Sequence, residues 1–233
     1  MSNPDSSVLT PFADGVWLHK HVMRMAPGTS LPCQTTLLRS APGELVCVSP
    51  GPFSAADVEA ISALGTVTWL VAPNLFHHLH LRPAQEALTG SRIAAPAGLT
   101  QKRKNLTIDS ELATVDLGPD IQAFAIEGEP GIQEFALYHR PSKTLVVTDL
   151  IFNLQKPAGF LSPLMFGLMG TYNRLAASRL VKFMVKDDAA FRASVRRLLD
   201  LEIDGLIMAH GTPITTDGNQ ALRSAIEVRF GAL

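Results

Sequence analysis

Three short apolar runs constrain this chain more than any other feature: VTWLVA at 67–72, KTLVVTD at 143–149 and GLIMA at 205–209. Each is short for a helix, and its apolar stretch is too continuous to leave one face in water. Unbroken apolar runs of this length, closed by turn residues, suit strands buried on both faces. Pro73-Asn74 follows the first, Asp149 ends the second and His210-Gly211 follows the third. Strands buried on both faces need cover on both sides, which makes the chain an α/β protein.

The remaining pattern fills in that class. Residues 15–23, 34–39 and 44–49 read as strands, and Pro42-Gly43 between the last two predicts a hairpin. Ser54 is placed to cap a helix running to Leu64, with Asp57 in its first turn, where a carboxylate suits the helix dipole, and Gly65 at its end. A helical stretch is expected over 76–89, then strands over 91–95 and 121–127. Arg140-Pro141-Ser142 predicts a hairpin between 133–139 and 143–149. Helices are expected over 160–185, 187–200 and 217–230. Long antiparallel hairpins argue against a purely parallel, doubly wound sheet, so mixed sheets with helices outside are expected.

Charge and cysteine usage exclude several functions. Twenty basic and 21 acidic residues leave a net charge of −1, which provides no field for a polyanion, so nucleic acid is not an expected partner. Cys33 and Cys47 form neither a CxxC pair nor a disulfide framework, which fits a reducing cytoplasm. The start MSNPDSSVLTPF lacks a charged residue followed by an apolar run, so no secretory signal is expected. The most apolar stretch, FLSPLMFGLMG at 160–170, is too short to span a bilayer, which needs ~20 apolar residues. It could cover the mouth of a site and favour an apolar substrate, or it could form a homodimer interface.

Ligand-type side chains gather just past three buried strands, where α/β folds place their sites. His77, His78 and His80 follow the 67–72 strand, and the spacing of His77 and His80 would put them on one helical face while His78 points elsewhere. Asp149 ends an apolar strand, where a carboxylate needs a partner or a cation. His210 ends another, followed by Gly211, which allows a tight backbone approach. Each has a structural alternative as a cap, a packed imidazole or an exposed residue. Together, a histidine cluster, an aspartate and a late histidine are how a chain assembles a metal site from distant segments.

The order of these motifs resembles the metallo-β-lactamase fold superfamily. PNLFHHLH resembles its first metal-binding loop, TDLIF its aspartate motif and AHGTPI its last histidine motif. The phrases VAPNLFHH, HRPSKTLVVTDLIFN and AHG are more closely similar to an uncharacterised bacterial family within that fold, the domain of unknown function 4336 family. The resemblance spans about residues 12–230. It implies a metallo-β-lactamase-like αββα sandwich, an α/β fold of two mixed sheets with helices on the outer faces. The chain is then one domain over 1–233, with 1–11 a loose N-terminal segment.

The resemblance also implies a divalent metal, zinc first and iron or manganese as alternatives, and hydrolysis of a small-molecule ester, lactone or phosphodiester by metal-activated water. The expected ligands are His78, Asp149 and His210, with His77 or His80 as a fourth, and Asn74, Glu129 and Gly211 as neighbours of the site. The chain departs from the family pattern in two places. Its first loop has no aspartate, and its middle motif, EGEPGIQEF, holds Glu127, Glu129 and Glu134 but no histidine. The alternative is therefore a degenerate, non-catalytic member serving as a binding or scaffold protein. Three further readings concern other residues. His19 and His21 share a strand face that is solvated or, as the alternative, lines a pocket; His139-Arg140 sits exposed at a hairpin turn; and Lys102-Arg103-Lys104 forms a solvated basic loop or, as the alternative, meets an anionic substrate.

Overall fold

The computed structural model describes residues 9–155 and 157–233, so most of the expected loose N-terminal segment lies outside the described residues. In chain order the elements are β1 (Thr10–Ala13), β2 (Val16–Ala26), β3 (Thr29–Ala41), β4 (Glu44–Val48), α1 (Ala55–Leu64), β5 (Thr66–Val71), α2 (Leu81–Ala87), β6 (Arg92–Ala95), α3 (Ala97–Lys102) and β7 (Ser110–Glu111). The second half follows with β8 (Ile121–Ala125), β9 (Phe135–His139), β10 (Thr144–Val147), β11 (Phe152–Asn153), α4 (Ser162–Met169), β12 (Leu175–Ala176), α5 (Arg179–Met184), α6 (Asp188–Leu199), β13 (Gly205–Met208) and α7 (Gly218–Phe230).

The strands form two main sheets. The first has the order β1-β2-β3-β4-β5-β6-β7, antiparallel through β4 and parallel from β4 to β7. The second has the order β13-β10-β9-β8, with β10 and β13 parallel and the rest antiparallel. Both expected hairpins form, β3–β4 over Pro42-Gly43 and β9–β10 over 140–143.

Alternation along the strands assigns the layers. On β4, Val46 and Val48 face the second sheet, while Leu45 and Cys47 face Ile61 of α1, Leu81 of α2 and Leu99 of α3. On β10, Val146 faces the first sheet, while Leu145 and Val147 pack with Phe191 of α6 and Leu222 of α7. The result is four layers, helix–sheet–sheet–helix, as the resemblance implied. Helix α1 begins with a capping box, in which the Ser54 side chain accepts from the Asp57 N–H and the Asp57 carboxylate accepts from the Ser54 N–H.

Four expectations require correction. The helix expected over 160–185 is interrupted. Helix α4 stops at Gly170, whose φ of 74° is left-handed, and β12 intervenes before α5. The helix expected over 76–89 is confined to α2, because 76–80 are turns and bends. His139 is buried, not exposed: Nδ1 lies 2.6 Å from Ser142 Oγ and Nε2 lies 3.1 Å from the Arg39 carbonyl oxygen. Residues 10 and 11, expected to be loose, form part of β1, which pairs with β2. No helix among the described residues is long and apolar enough to cross a membrane.

Candidate metal centre

The parallel strands of the two sheets end along one edge of the sandwich. Ser49 follows β4, Asn74 and His77 follow β5, Asp149 follows β10 and His210 follows β13. Because Val147 pairs with Met208, Asp149 and His210 each lie two residues beyond the same rung. The sheets are tied there by the Gln34 N–H, which donates to the Ala209 carbonyl at 2.9 Å. The backbone of His210 is fixed from the other side. The Asn153 N–H donates to its carbonyl at 3.1 Å, and Gly211, at φ 110°, brings the chain so close that a Cβ would lie 2.0 Å from the Asn153 oxygen.

His77, Asp149 and His210 converge. His77 Nε2 lies 3.3 Å from Asp149 Oδ2, and His210 Nε2 lies 3.3 Å from Asp149 Oδ1. One ligand atom from each of the three lies within 4.8 Å of the other two. Both imidazoles are held by their far nitrogens. His77 Nδ1 is 2.5 Å from Ser49 Oγ, and His210 Nδ1 is 3.3 Å from the Pro32 carbonyl oxygen and 3.5 Å from Cys33 Sγ. A carbonyl can only accept, so His210 Nδ1 carries hydrogen and Nε2 is left to face the carboxylate.

Asn74 sets the loop. Its Oδ1 accepts from the N–H groups of Phe76 at 2.8 Å and His77 at 3.1 Å, and this turn, not a helix, aims the His77 ring. Its Nδ2 donates to Asp149 Oδ2 at 2.8 Å and to Thr148 Oγ1 at 3.0 Å. Beneath lies Glu134, whose carboxylate accepts from the N–H groups of Thr148 at 2.7 Å and Asp149 at 2.9 Å. Glu129 in turn accepts from the Glu134 N–H at 2.6 Å. Glu134 stands where sequence reasoning had emphasised Glu129. It shapes the Asp149 backbone, and neither glutamate belongs to the converging trio.

The electrostatics follow from burial and pairing. Burial opposes the Asp149 charge, yet His77 and His210 hold its carboxyl well below the usual range. Burial opposes the His210 charge too, but hydrogen bonds with Asp149 and Cys33 carry it up to about 9. Burial, with Glu134 next to it, pushes Glu129 up to about 9; burial and Asp149 push Glu134 up to about 7. Glu129 is thus held protonated at neutral pH, while Glu134 titrates close to neutrality beside the anionic Asp149.

The sequence profile of the metallo-beta-lactamase superfamily matches residues 35–228. The chain belongs to the metallo-beta-lactamase superfamily. Solved structures agree on the fold. Over 93% of this chain, DIM-1 metallo-beta-lactamase superposes with a TM-score of 0.63 at 13% identity, covering 94% of that enzyme. The metallo-beta-lactamase from Pontibacter korlensis gives 0.63 at 14% identity, over 93% of this chain and 97% of its own. The one from Hirschia baltica gives 0.63 at 11%, over 92% and 94%. No curated protein sequence matches the chain. Superfamily members are typically metal-dependent hydrolases and usually bind divalent metals.

Within this superfamily member the other predicted ligands go elsewhere. His78 is buried away from the trio. Burial and then Arg103 and Lys102 lower its pKa, and its Nδ1 has no hydrogen-bond partner among the described residues. His80 stands at the start of α2, its ring 6.3 Å from that of His21. His19 and His21 are not on a solvated face. His19 is buried with Nε2 3.3 Å from Asp57 Oδ1, and His21 is held down to about 4 by burial and then by its histidine neighbours. Sequence reasoning passed over Ser49 and Cys33; their only local signal is position, since Ser49 closes β4 and Cys33 lies on the strand that crosses beneath His210. The trio opens into a cavity of about 520 Å³, which His21 and His80 also line.

Proposed function

We propose that this chain is a metal-dependent hydrolase that holds one divalent ion with His77, Asp149 and His210. The observation that carries the reading is that two imidazole Nε2 atoms each lie 3.3 Å from one carboxylate, with one ligand atom from each residue within 4.8 Å of the others and both Nδ1 atoms engaged from behind. Two nitrogens and one oxygen suit zinc, iron or manganese, and three protein ligands leave a position for water or substrate. Zinc is the ion we favour. An ion held there supplies Lewis-acid polarisation and an acidified water. Asn74 holds the Asp149 carboxylate in place, Ser49 and Pro32 fix the ring orientations, and the second Asp149 oxygen can orient a water. Water cleaves the C–O bond of an ester to give an acid and an alcohol, that of a lactone to give one hydroxy acid, or the P–O bond of a phosphodiester to give a phosphomonoester and an alcohol. The two free cysteines support a reducing compartment such as the cytoplasm. The phrases around Asn74, Asp149 and His210 support placement near the domain of unknown function 4336 family.

The test is elemental analysis of tag-free protein together with Asp149→Ala and His210→Ala. We expect one equivalent of transition metal in the wild type, loss of it in both variants, and chelator-sensitive hydrolysis in an ester, lactone and phosphodiester screen. Full metal retention in both variants, or no uptake of zinc, iron or manganese by the wild type, overturns the assignment and favours a non-catalytic binding protein.

A further inference from the structure

We propose that the cavity takes a long-chain acyl ester, with the ester group at the His77–Asp149–His210 trio and the hydrocarbon chain along the opposite wall. The inference rests on the hydrolase reading for its chemistry, but its physical basis is separate. Hydrolysis would release a fatty acid and an alcohol, with water the only co-reactant.

The polar side chains of the cavity gather around the trio. Ser49 bonds His77, Cys33 touches His210, and His21 and His80 meet edge to face nearby. Apart from Arg24 and Ser178, the other cavity side chains are apolar, among them Leu31, Ile132, Phe152, Phe166 and Val181. Four methionines, Met23, Met25, Met169 and Met184, join them. Unbranched thioethers adapt to a flexible ligand better than branched side chains do. A volume of about 520 Å³ is in the range of small-molecule pockets, ~300–1,000 Å³.

The apolar character continues outside. Val22 on β2, Leu79 in the 76–80 turn and Leu180 on α5 line the cavity and are each more than half exposed, at 63%, 58% and 53%. Leu164 and Leu168 of α4 and Phe183 of α5 are exposed too, on two helices that contact each other and that both contribute cavity residues. The β2–β3 tip is secured to α4, with Leu161 N–H donating to the Gly28 carbonyl at 2.9 Å and Phe160 packed on Gly28. An exposed apolar rim above a buried polar trio matches an amphiphile entering chain-last, and exposed apolar residues gathered at a cavity mouth mark a binding surface. A second copy of the chain would cover the rim without filling the interior, so the cavity favours the acyl occupant.

The experiment titrates saturated fatty acids, from butanoate to dodecanoate below their micelle concentrations, into the protein by calorimetry. In parallel, aryl esters of the same acids are assayed with and without chelator. Leu79→Asp and Leu180→Asp are compared with Val228→Asp, which lies on α7 and does not line the cavity. We expect affinity to rise by up to about fourfold per methylene until the cavity is full. Leu79→Asp and Leu180→Asp should each weaken dodecanoate binding by about tenfold, while Val228→Asp leaves the chain-length slope intact. Exposed positions are chosen so that the variants fold, checked by thermal melting. A steep slope without metal or hydrolysis upholds the acyl cavity and sinks the hydrolase reading. Metal-dependent cleavage of short esters with a flat slope does the reverse. A flat slope with a dimer that Leu180→Asp dissociates assigns the rim to a second copy and overturns the proposal.

Discussion

Asp149→Asn in metal-free protein tests the electrostatic core of the site. His210 is buried, yet Asp149 and Cys33 raise its pKa from 6.5 to about 9. At about 1.36 kcal/mol per pKa unit, this corresponds to roughly 3 kcal/mol of coupling between His210 protonation and folding. The folded pKa lies above the unfolded one, so the stabilisation is complete below pH 6.5 and disappears as pH rises towards 9. Glu129 and Glu134 carry raised pKa values of the same sign, with windows from 4.5 to about 9 and to about 7, and Asp149 contributes to both. Asparagine removes the anion, so burial returns His210 to a neutral ring and the glutamate shifts shrink. Urea unfolding of chelator-treated wild type and variant across this range should show the variant weaker by roughly 3 kcal/mol below pH 6.5. The gap should close by about pH 9. Parallel curves, with a constant gap at every pH, would refute the coupling between Asp149 and His210.

Three other substitutions probe the architecture. His77→Ala should lose the metal in elemental analysis while His78→Ala retains it, because only His77 faces Asp149; equal behaviour contradicts the assignment. Asn74→Ala leaves buried partners of Phe76, His77 and Asp149 unsatisfied, so a loss of about 1–3 kcal/mol in urea unfolding and a drop of ~10–100-fold in zinc affinity are expected. Gly211→Ala places a Cβ against the Asn153 carbonyl at left-handed φ, so it should destabilise by at least ~1–3 kcal/mol and lower metal occupancy. Unchanged melting and occupancy would show that the β11 contact does not hold His210.

Much of the layer order was legible because its signals are local. Apolar runs at 67–72 and 205–209 became strands buried between layers, and Ser54 and Asp57 made the cap their spacing suggested. The break after α4 had a signal in Gly170, which ends the helix in a left-handed conformation, but the high apolar content of the segment masked it. The site was legible in composition and not in register. Helical spacing paired His77 with His80, whereas the Asn74 side chain folds 76–80 into turns that separate them. Glu134 was indistinguishable by sequence from Glu127 and Glu129 until the N–H groups of Thr148 and Asp149 were seen to converge on it.

By itself the sequence determined that buried strands would end in histidine and aspartate, because burial pattern and turn chemistry act over a few residues. Only the tertiary structure decided which imidazoles meet the carboxylate. That choice depends on the rung shared by β10 and β13, on the Asn74 turn and on the contact between Gly211 and Asn153, which join positions far apart in the chain. The same distance effect turned Met23, Phe152, Met169 and Leu180, unremarkable one by one, into a single apolar cavity above the trio.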